Sequence, residues 1–226
     1  MLSRELLDFL NDLRENNHKE WFHAHKPVYQ SVRKEFEAYV GLLIAGIARF
    51  DDSVKNLDPK SCIFRINRDI RFSKDKAPYK QNFGAFIAPG GRKGGYGGYY
   101  LHIEPGASFA AGGVYMPSSP ALKAIRHEIY HYVDEFIEIL DDPAFRKHFG
   151  ELDPIEKLKT APKGFPKDFE HIDLLNHKHY TASKPLSDEL VTSESLTDEV
   201  LGAFEALYPM NYFLNEAIRI VMSGPG

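Results

Sequence analysis

Six cations crowd the stretch from residue 65 to residue 80: Arg65, Arg68, Arg71, Lys74, Lys76 and Lys80, opposed only by Asp69 and Asp75. The stretch carries +4 and leaves −8 on the rest of a chain whose net charge is −4. A local reversal of sign marks a place where an anion is welcome. Guanidinium forks fit phosphate and carboxylate oxygens, and ammonium groups add point charge. Tyr79 belongs to the same stretch. Lys163, in the rigid-looking loop Ala161-Pro162-Lys163-Gly164-Phe165-Pro166, is placed to close over a bound anion. These eight residues are the ligand-binding candidates, for a small phosphorylated or carboxylated molecule.

A second reading needs no ligand. Phe64, Ile66, Ile70 and Phe72 alternate with Arg65, Asn67, Asp69 and Arg71, the pattern of a half-buried strand. On such a strand Arg65 and Arg71 are about 20 Å apart and cannot grip one small anion unless the strand bends. Arg71 and Asp69 can simply neutralise each other, which makes the stretch a structural charge ladder. Arg68 is the exception, because alternation puts it on the apolar side. A buried, unpaired guanidinium costs about 3–5 kcal/mol, so it requires a carboxylate from the chain or from a ligand, or a bulge that turns it outward.

Tyr99-Tyr100-Leu101-His102-Ile103-Glu104 alternates in the same way, with Tyr100, His102 and Glu104 on one face. His102 and Glu104, two residues apart on a strand, form a proton-transfer pair or two ligands of a metal. Polar residues on a solvated sheet face give the same pattern. Placed beside the arginine-bearing stretch, His102 is the candidate catalytic acid/base and Glu104 its orienting partner.

His127-Glu128-Ile129-Tyr130-His131 matches H-E-x-x-H, the helix of zinc peptidases. Its helical phase opposes that reading. Leu122, Ile125, Ile129, Val133, Phe136 and Leu140 form the inward stripe, and the two histidines project almost opposite to it. No third ligand is fixed, although Glu151 and Glu156 are available. No metal or cofactor is therefore assigned. The run GGRKGGYGG lacks G-K-[ST] and joins two strands, so it reads as a mobile hairpin loop and not as a phosphate loop. There is no G-x-S-x-G element. The single cysteine, Cys62, precedes Ile63-Phe64 and reads as a buried structural thiol, and one thiol forms no intrachain disulfide framework.

The elements that must position these residues follow from periodicity. Ser3 caps an amphipathic helix over residues 3–15. Asn17-His18-Lys19-Glu20 resembles a capping box that starts a turn carrying Trp21 and Phe22, read as core anchors. Pro27 opens a long helix whose stripe runs from Val28 to Phe50. Strands are expected at 64–72, 83–88, 99–104 and 108–115, with short connections that favour antiparallel pairing. A helix from Pro117 to about Leu140, a short one over 141–150, an irregular stretch with a strand near 178–182, and a helix over 196–208 that resumes after Pro209 complete the chain. Strands in one block between helical blocks argue α+β, a mainly antiparallel sheet packed by N-terminal, central and C-terminal helices, in a single domain over 1–226.

The composition is that of an ordinary globular protein: 226 residues, 43% hydrophobic and 27% charged, enough for a substantial core. The net charge lacks the basic excess of a general nucleic-acid binder. No stretch reaches the roughly 18 apolar residues of a membrane span, and charges from Arg4 onward interrupt any signal-peptide core. A soluble, cytoplasmic protein is expected, and nothing in the sequence fixes its oligomeric state.

Asn16-Asn17-His18-Lys19-Glu20-Trp21-Phe22 and the long run Phe64 to Lys80 resemble the DUF2461 family. Further matches are Tyr99-Tyr100-Leu101-His102-Ile103, Tyr115-Met116-Pro117 and Ala161 to Phe165. The resemblance spans nearly the whole chain in order. It implies a cytosolic protein and carries over no catalytic residue. The family pattern features Arg126 and Ile129 but no zinc motif, which sets His127 and His131 apart as departures. The expected function is binding of a small anionic ligand in an Arg/Lys-lined cleft, with acid/base chemistry from His102. The alternatives are a non-catalytic module that presents the same basic face to a nucleic acid or a protein, and a zinc hydrolase built on HEIYH.

Overall fold

The computed structural model describes residues 1–223. Ser3 caps α1 (Arg4–Glu15): its Oγ accepts from the Leu6 amide and donates to Glu35 at 2.6 Å. Leu6, Leu7, Phe9, Leu10 and Leu13 bury the inner face of that helix. α2 (Lys19–Ala24) is capped by His18, whose ring accepts from the Trp21 amide; Asn17, expected inside the capping box, is used elsewhere. α3 (Lys26–Ile47) carries Pro27 in its first turn and buries Val32, Phe36, Val40, Leu43 and Ile47. A short α4 (Pro59–Cys62) follows, with Cys62 buried.

The sheet is a four-stranded antiparallel meander in the order β1 (Phe83–Ile87), β2 (Gly98–Ile103), β3 (Ser108–Val114), β4 (Tyr180–Leu186). Between β3 and β4 the chain builds α5 (Ser119–His131), α6 (Val133–Asp141), α7 (Pro143–Phe149) and α8 (Ile172–Asn176). After β4 come α9 (Asp188–Val191) and α10 (Leu196–Met222). The fold is α+β, with strand and helical blocks segregated.

One face of the sheet is the core. Tyr99, Leu101, Ile103 and Ala110 are buried on it, where Tyr99 packs on Phe204 of α10 at 5.3 Å and Phe83 on Phe36 of α3 at 5.3 Å; on β4, Tyr180 and Ala182 are buried on the same face, with Tyr180 edge-on to Phe136 of α6 at 6.3 Å. Each such fully buried large side chain contributes about 1.5–3 kcal/mol over its exposed state. The buried apolar residues form one continuous cluster from Leu2 to Ile218.

Three expectations are revised. The helix predicted from Pro117 to Leu140 breaks at Tyr132 (φ −124°, ψ 44°) into α5 and α6. The two helical segments predicted around Pro209 are one helix, α10, with the proline inside it. Proline forfeits one i→i−4 bond, and here Leu207, Met210, Phe213 and Leu214 are buried on either side of it and hold the helix together. The strand predicted at 64–72 is absent. Ile66 to Arg68 instead runs beside Pro78 to Lys80 as a narrow ribbon, with Lys80 N–H donating to Ile66 O at 2.8 Å and Arg68 N–H to Pro78 O at 2.9 Å. Residues 69–77 close its end, leaving Phe72 94% exposed.

Candidate functional site

The ribbon is fixed to the body at two points. Ile63 and Phe64 continue the sheet beyond β1, with Phe64 N–H donating to Gly84 O at 2.9 Å. At the other end the Asn17 side-chain amide reads the Tyr79 backbone as a neighbouring strand would: Oδ1 accepts from Tyr79 N–H and Nδ2 donates to Tyr79 O, both at 3.0 Å. Tyr79 is buried and its ring stacks on Phe22 at 4.0 Å. These contacts place Lys80 next to the sheet.

Phe64 is the centre of the cationic cluster. The Lys80 ammonium lies 5.0 Å from its ring centroid and the Arg92 guanidinium 5.3 Å, both within cation–π range. Burial lowers the Lys80 pKa, and the charges of Arg65 and Arg92 lower it further. Among the described residues none of Arg65, Lys80 and Arg92 makes an ion pair; Arg92 Nε donates only to Ser61 O, at 3.0 Å. Arg92 is aimed by a tight turn at Gly91–Lys93. A Cβ on Gly94 would sit 1.7 Å from Pro89 O, so the glycine is obligatory there.

A hydrogen-bonded chain of side chains adjoins the cluster on the outer face of the sheet. Phe64 meets Tyr100 edge-on at 6.1 Å. The Tyr100 hydroxyl is 3.0 Å from His102 Nδ1, and His102 Nε2 is 2.8 Å from Glu104 Oε2. A carboxylate can only accept, so Nε2 carries the proton and Nδ1 accepts from the Tyr100 hydroxyl. Asn82 Nδ2 approaches the same Nδ1 at 3.4 Å. Burial, with the Glu104 charge behind it, pushes the Tyr100 phenol up to about 12. The hydroxyl lies over Gly84, where a Cβ would come within 2.8 Å of it. His102 is otherwise stacked on Phe109 at 4.6 Å and 14°. Phe109 also lines an open hollow of about 620 Å³ with Gly106, Ala107, Ser183, Pro185 and Ser187.

The other cations occupy different surroundings. Arg68 is paired with Asp75 and also donates to Ala77 O (3.2 Å) and Ser73 Oγ (3.4 Å), closing the loop at the ribbon's end. The Ala77 amide and Arg68 hold the Asp75 carboxyl below its usual range. Arg71 grips Asp69 with two bonds, at 2.9 and 2.7 Å, and Lys76 donates to Ile70 O at 3.1 Å. Lys74 is exposed. Lys163 is exposed on a loop anchored by Phe165 to His127 and Tyr130 of α5. The structure therefore brings Arg65 and Lys80 together beside His102 and Glu104. It adds Phe64, Arg92 and Tyr100, which the sequence reading did not name as site residues. Tyr100 was recoverable, because it shares the strand face of His102 and Glu104. Arg92 was not, because it reaches the cluster only through the glycine turn. The loop is anchored at its end: Gly97 is buried, with its N–H and C=O bonded to Asn215 at 2.7 and 3.1 Å.

In HEIYH, His127 lies against Phe165 and His131 against Tyr130. Glu128 faces a separate small acidic hollow with Glu135 and Glu216, and burial, then those charges, raise its pKa. Among the described residues no three His, Cys, Asp or Glu side chains gather where one metal ion could be held.

The fold and the site define an α+β protein with a basic, aromatic outer sheet face. The chain belongs to the family described as conserved hypothetical protein DUF2461, whose model matches residues 5–213. Neither a curated protein nor a solved structure matches it. Among the described residues no helix is long and apolar enough to cross a membrane.

Proposed function

We propose that this protein binds a small phosphorylated or carboxylated ligand at Arg65, Lys80 and Arg92 and acts on it by acid/base chemistry through Tyr100, His102 and Glu104. The observation that carries this reading is two cations, Lys80 and Arg92, set over one aromatic ring with no ion-pair partner among the described residues, and with the charge of Arg65 near enough to bear on Lys80. Holding like charges together costs stability, and a bound anion removes that cost.

The relay supplies the chemistry. A ligand O–H beside Tyr100 gives its proton to the phenol oxygen while the phenol proton passes to His102 Nδ1. Glu104 then stabilises the imidazolium, in the role the aspartate plays in a serine–histidine–aspartate triad. With its pKa near 12 the phenol stays protonated until His102 accepts from it. The return path reprotonates the product.

Thermal unfolding in inorganic pyrophosphate at low ionic strength tests the binding. A concentration about a hundredfold over Kd should raise the Tm by about 5–10 °C. Lys80→Ala and Arg92→Ala should abolish the shift, and Lys74→Ala should leave it intact. No shift, or one that survives both substitutions, would refute the reading.

A further inference from the structure

We infer that the ligand is a nucleoside diphosphate, its phosphates on Arg65, Lys80 and Arg92 and its base in the hollow beside Phe109; this rests on the anion site proposed above. Strand register supports the placement. Phe64 adjoins Gly84 of β1, Gly84 faces His102 of β2, His102 faces Phe109 of β3, and Phe109 faces Pro185 of β4. Cations, relay and hollow thus lie in one row across the outer face. Three inter-strand spacings separate the Phe64 column from β3, about 14 Å. A free phosphate or a sugar monophosphate bound by the cations stops short of the hollow, whereas a diphosphate carrying a nucleoside extends toward it.

The row is also aromatic throughout. Phe64 touches Tyr100, Tyr100 lies 5.7 Å from Phe109, and Phe109 is stacked on His102 and borders the hollow. A planar base is the group that such a surface accommodates by stacking. The hollow has no cation in its lining, and its Ser183 and Ser187 hydroxyls are engaged by Asp153 and the Leu190 amide, so it suits a neutral heterocycle and not a second phosphate. Between the two ends lies the Tyr100 hydroxyl, where the ribose or the phosphate chain would pass.

Calorimetric titration of the full chain without divalent cations separates this inference from the reading beneath it. The probes are pyrophosphate, UMP, UDP, ADP and a single-stranded oligothymidylate. UDP or ADP should bind at least about tenfold more tightly than pyrophosphate, the scale that stacking one base supplies. Phe109→Ala should remove that advantage and leave pyrophosphate binding unchanged. Ala107→Trp, at an exposed position that fills the hollow without disturbing the core, should do the same and guards against misfolding of the Phe109 variant. Diphosphates no tighter than pyrophosphate would overturn the inference while the anion site stands. Failure of both would overturn the two together. An oligothymidylate bound more tightly than UDP would overturn the inference in favour of a nucleic-acid strand.

Discussion

His177 is almost wholly buried, with no hydrogen-bond partner for Nδ1, and burial, with Lys157 nearby, holds its pKa down to about 4. A depressed histidine pKa means that the unfolded chain takes up a proton, near the ordinary value of 6.5, before the folded chain does. Its stabilising effect is full above about 6.5 and is lost as pH falls toward about 4. Between pH 7 and 5 the loss should be about 2 kcal/mol. Urea unfolding of the wild type against His177→Gln at both pH values checks this; equal pH dependence in the two would contradict it. At Tyr100 the prediction is a shift in the other direction. Glu104→Gln removes the negative charge that opposes ionisation of the phenol, so the Tyr100 pKa should fall below about 12, read by NMR titration of labelled tyrosine. Single residues were partly legible in the sequence. Alternation left Arg68 with a carboxylate of the chain, a ligand or an outward turn; the structure gives it Asp75, presented by a loop that is not strand-like and that alternation therefore did not reveal.

At the scale of elements, the ribbon and its clamp matter most. Asn17→Ala removes both bonds to the Tyr79 backbone and should cost about 1–3 kcal/mol. It should also speed tryptic cleavage between Arg65 and Lys80 under native conditions, followed by mass spectrometry; unchanged cleavage would show that the ribbon holds without the clamp. The long helices and the sheet strands were legible because their periodicities are driven by burial, as in α1, α3 and β2. The stretch 64–72 has the same alternation without the burial. Phe72 is exposed, and the backbone beyond Arg68 serves Arg68–Asp75 and Arg71–Asp69 closures instead of a ladder. The break at Tyr132 has no glycine or proline to announce it. Continuity through Pro209 is decided by packing that periodicity around a proline does not reveal.

The whole molecule assembles the proposed site from segments that are not neighbours in sequence. The ribbon supplies Lys80 and Arg65, the glycine turn Arg92, and β2 the Tyr100–His102–Glu104 chain, and they meet because Phe64 adds to the edge of β1. Local pattern placed His102 beside Glu104 and marked 65–80 as basic. It anticipated that Arg71 and Asp69 neutralise each other, and the structure pairs them; it did not show that Asp75 neutralises Arg68 or that Lys80 meets Arg92, which depend on how the loops fold back. The unligated cluster should carry a stability cost. Lys80→Met should stabilise the free protein by about 0.5–1 kcal/mol at low salt, solvent screening of the half-buried ammonium keeping the effect small, and by less as salt rises. Chemical unfolding at two ionic strengths measures it, and a destabilised variant would contradict it. The most direct measurement of the central claim is a residue-resolved NMR titration with pyrophosphate. Saturating shifts should appear at Arg65, Lys80 and Arg92 and extend to Tyr100 and His102, while Lys74 and Lys163 stay still. An unperturbed spectrum, or shifts confined to Lys74 and the exposed loop around it, would contradict an anion site on this face.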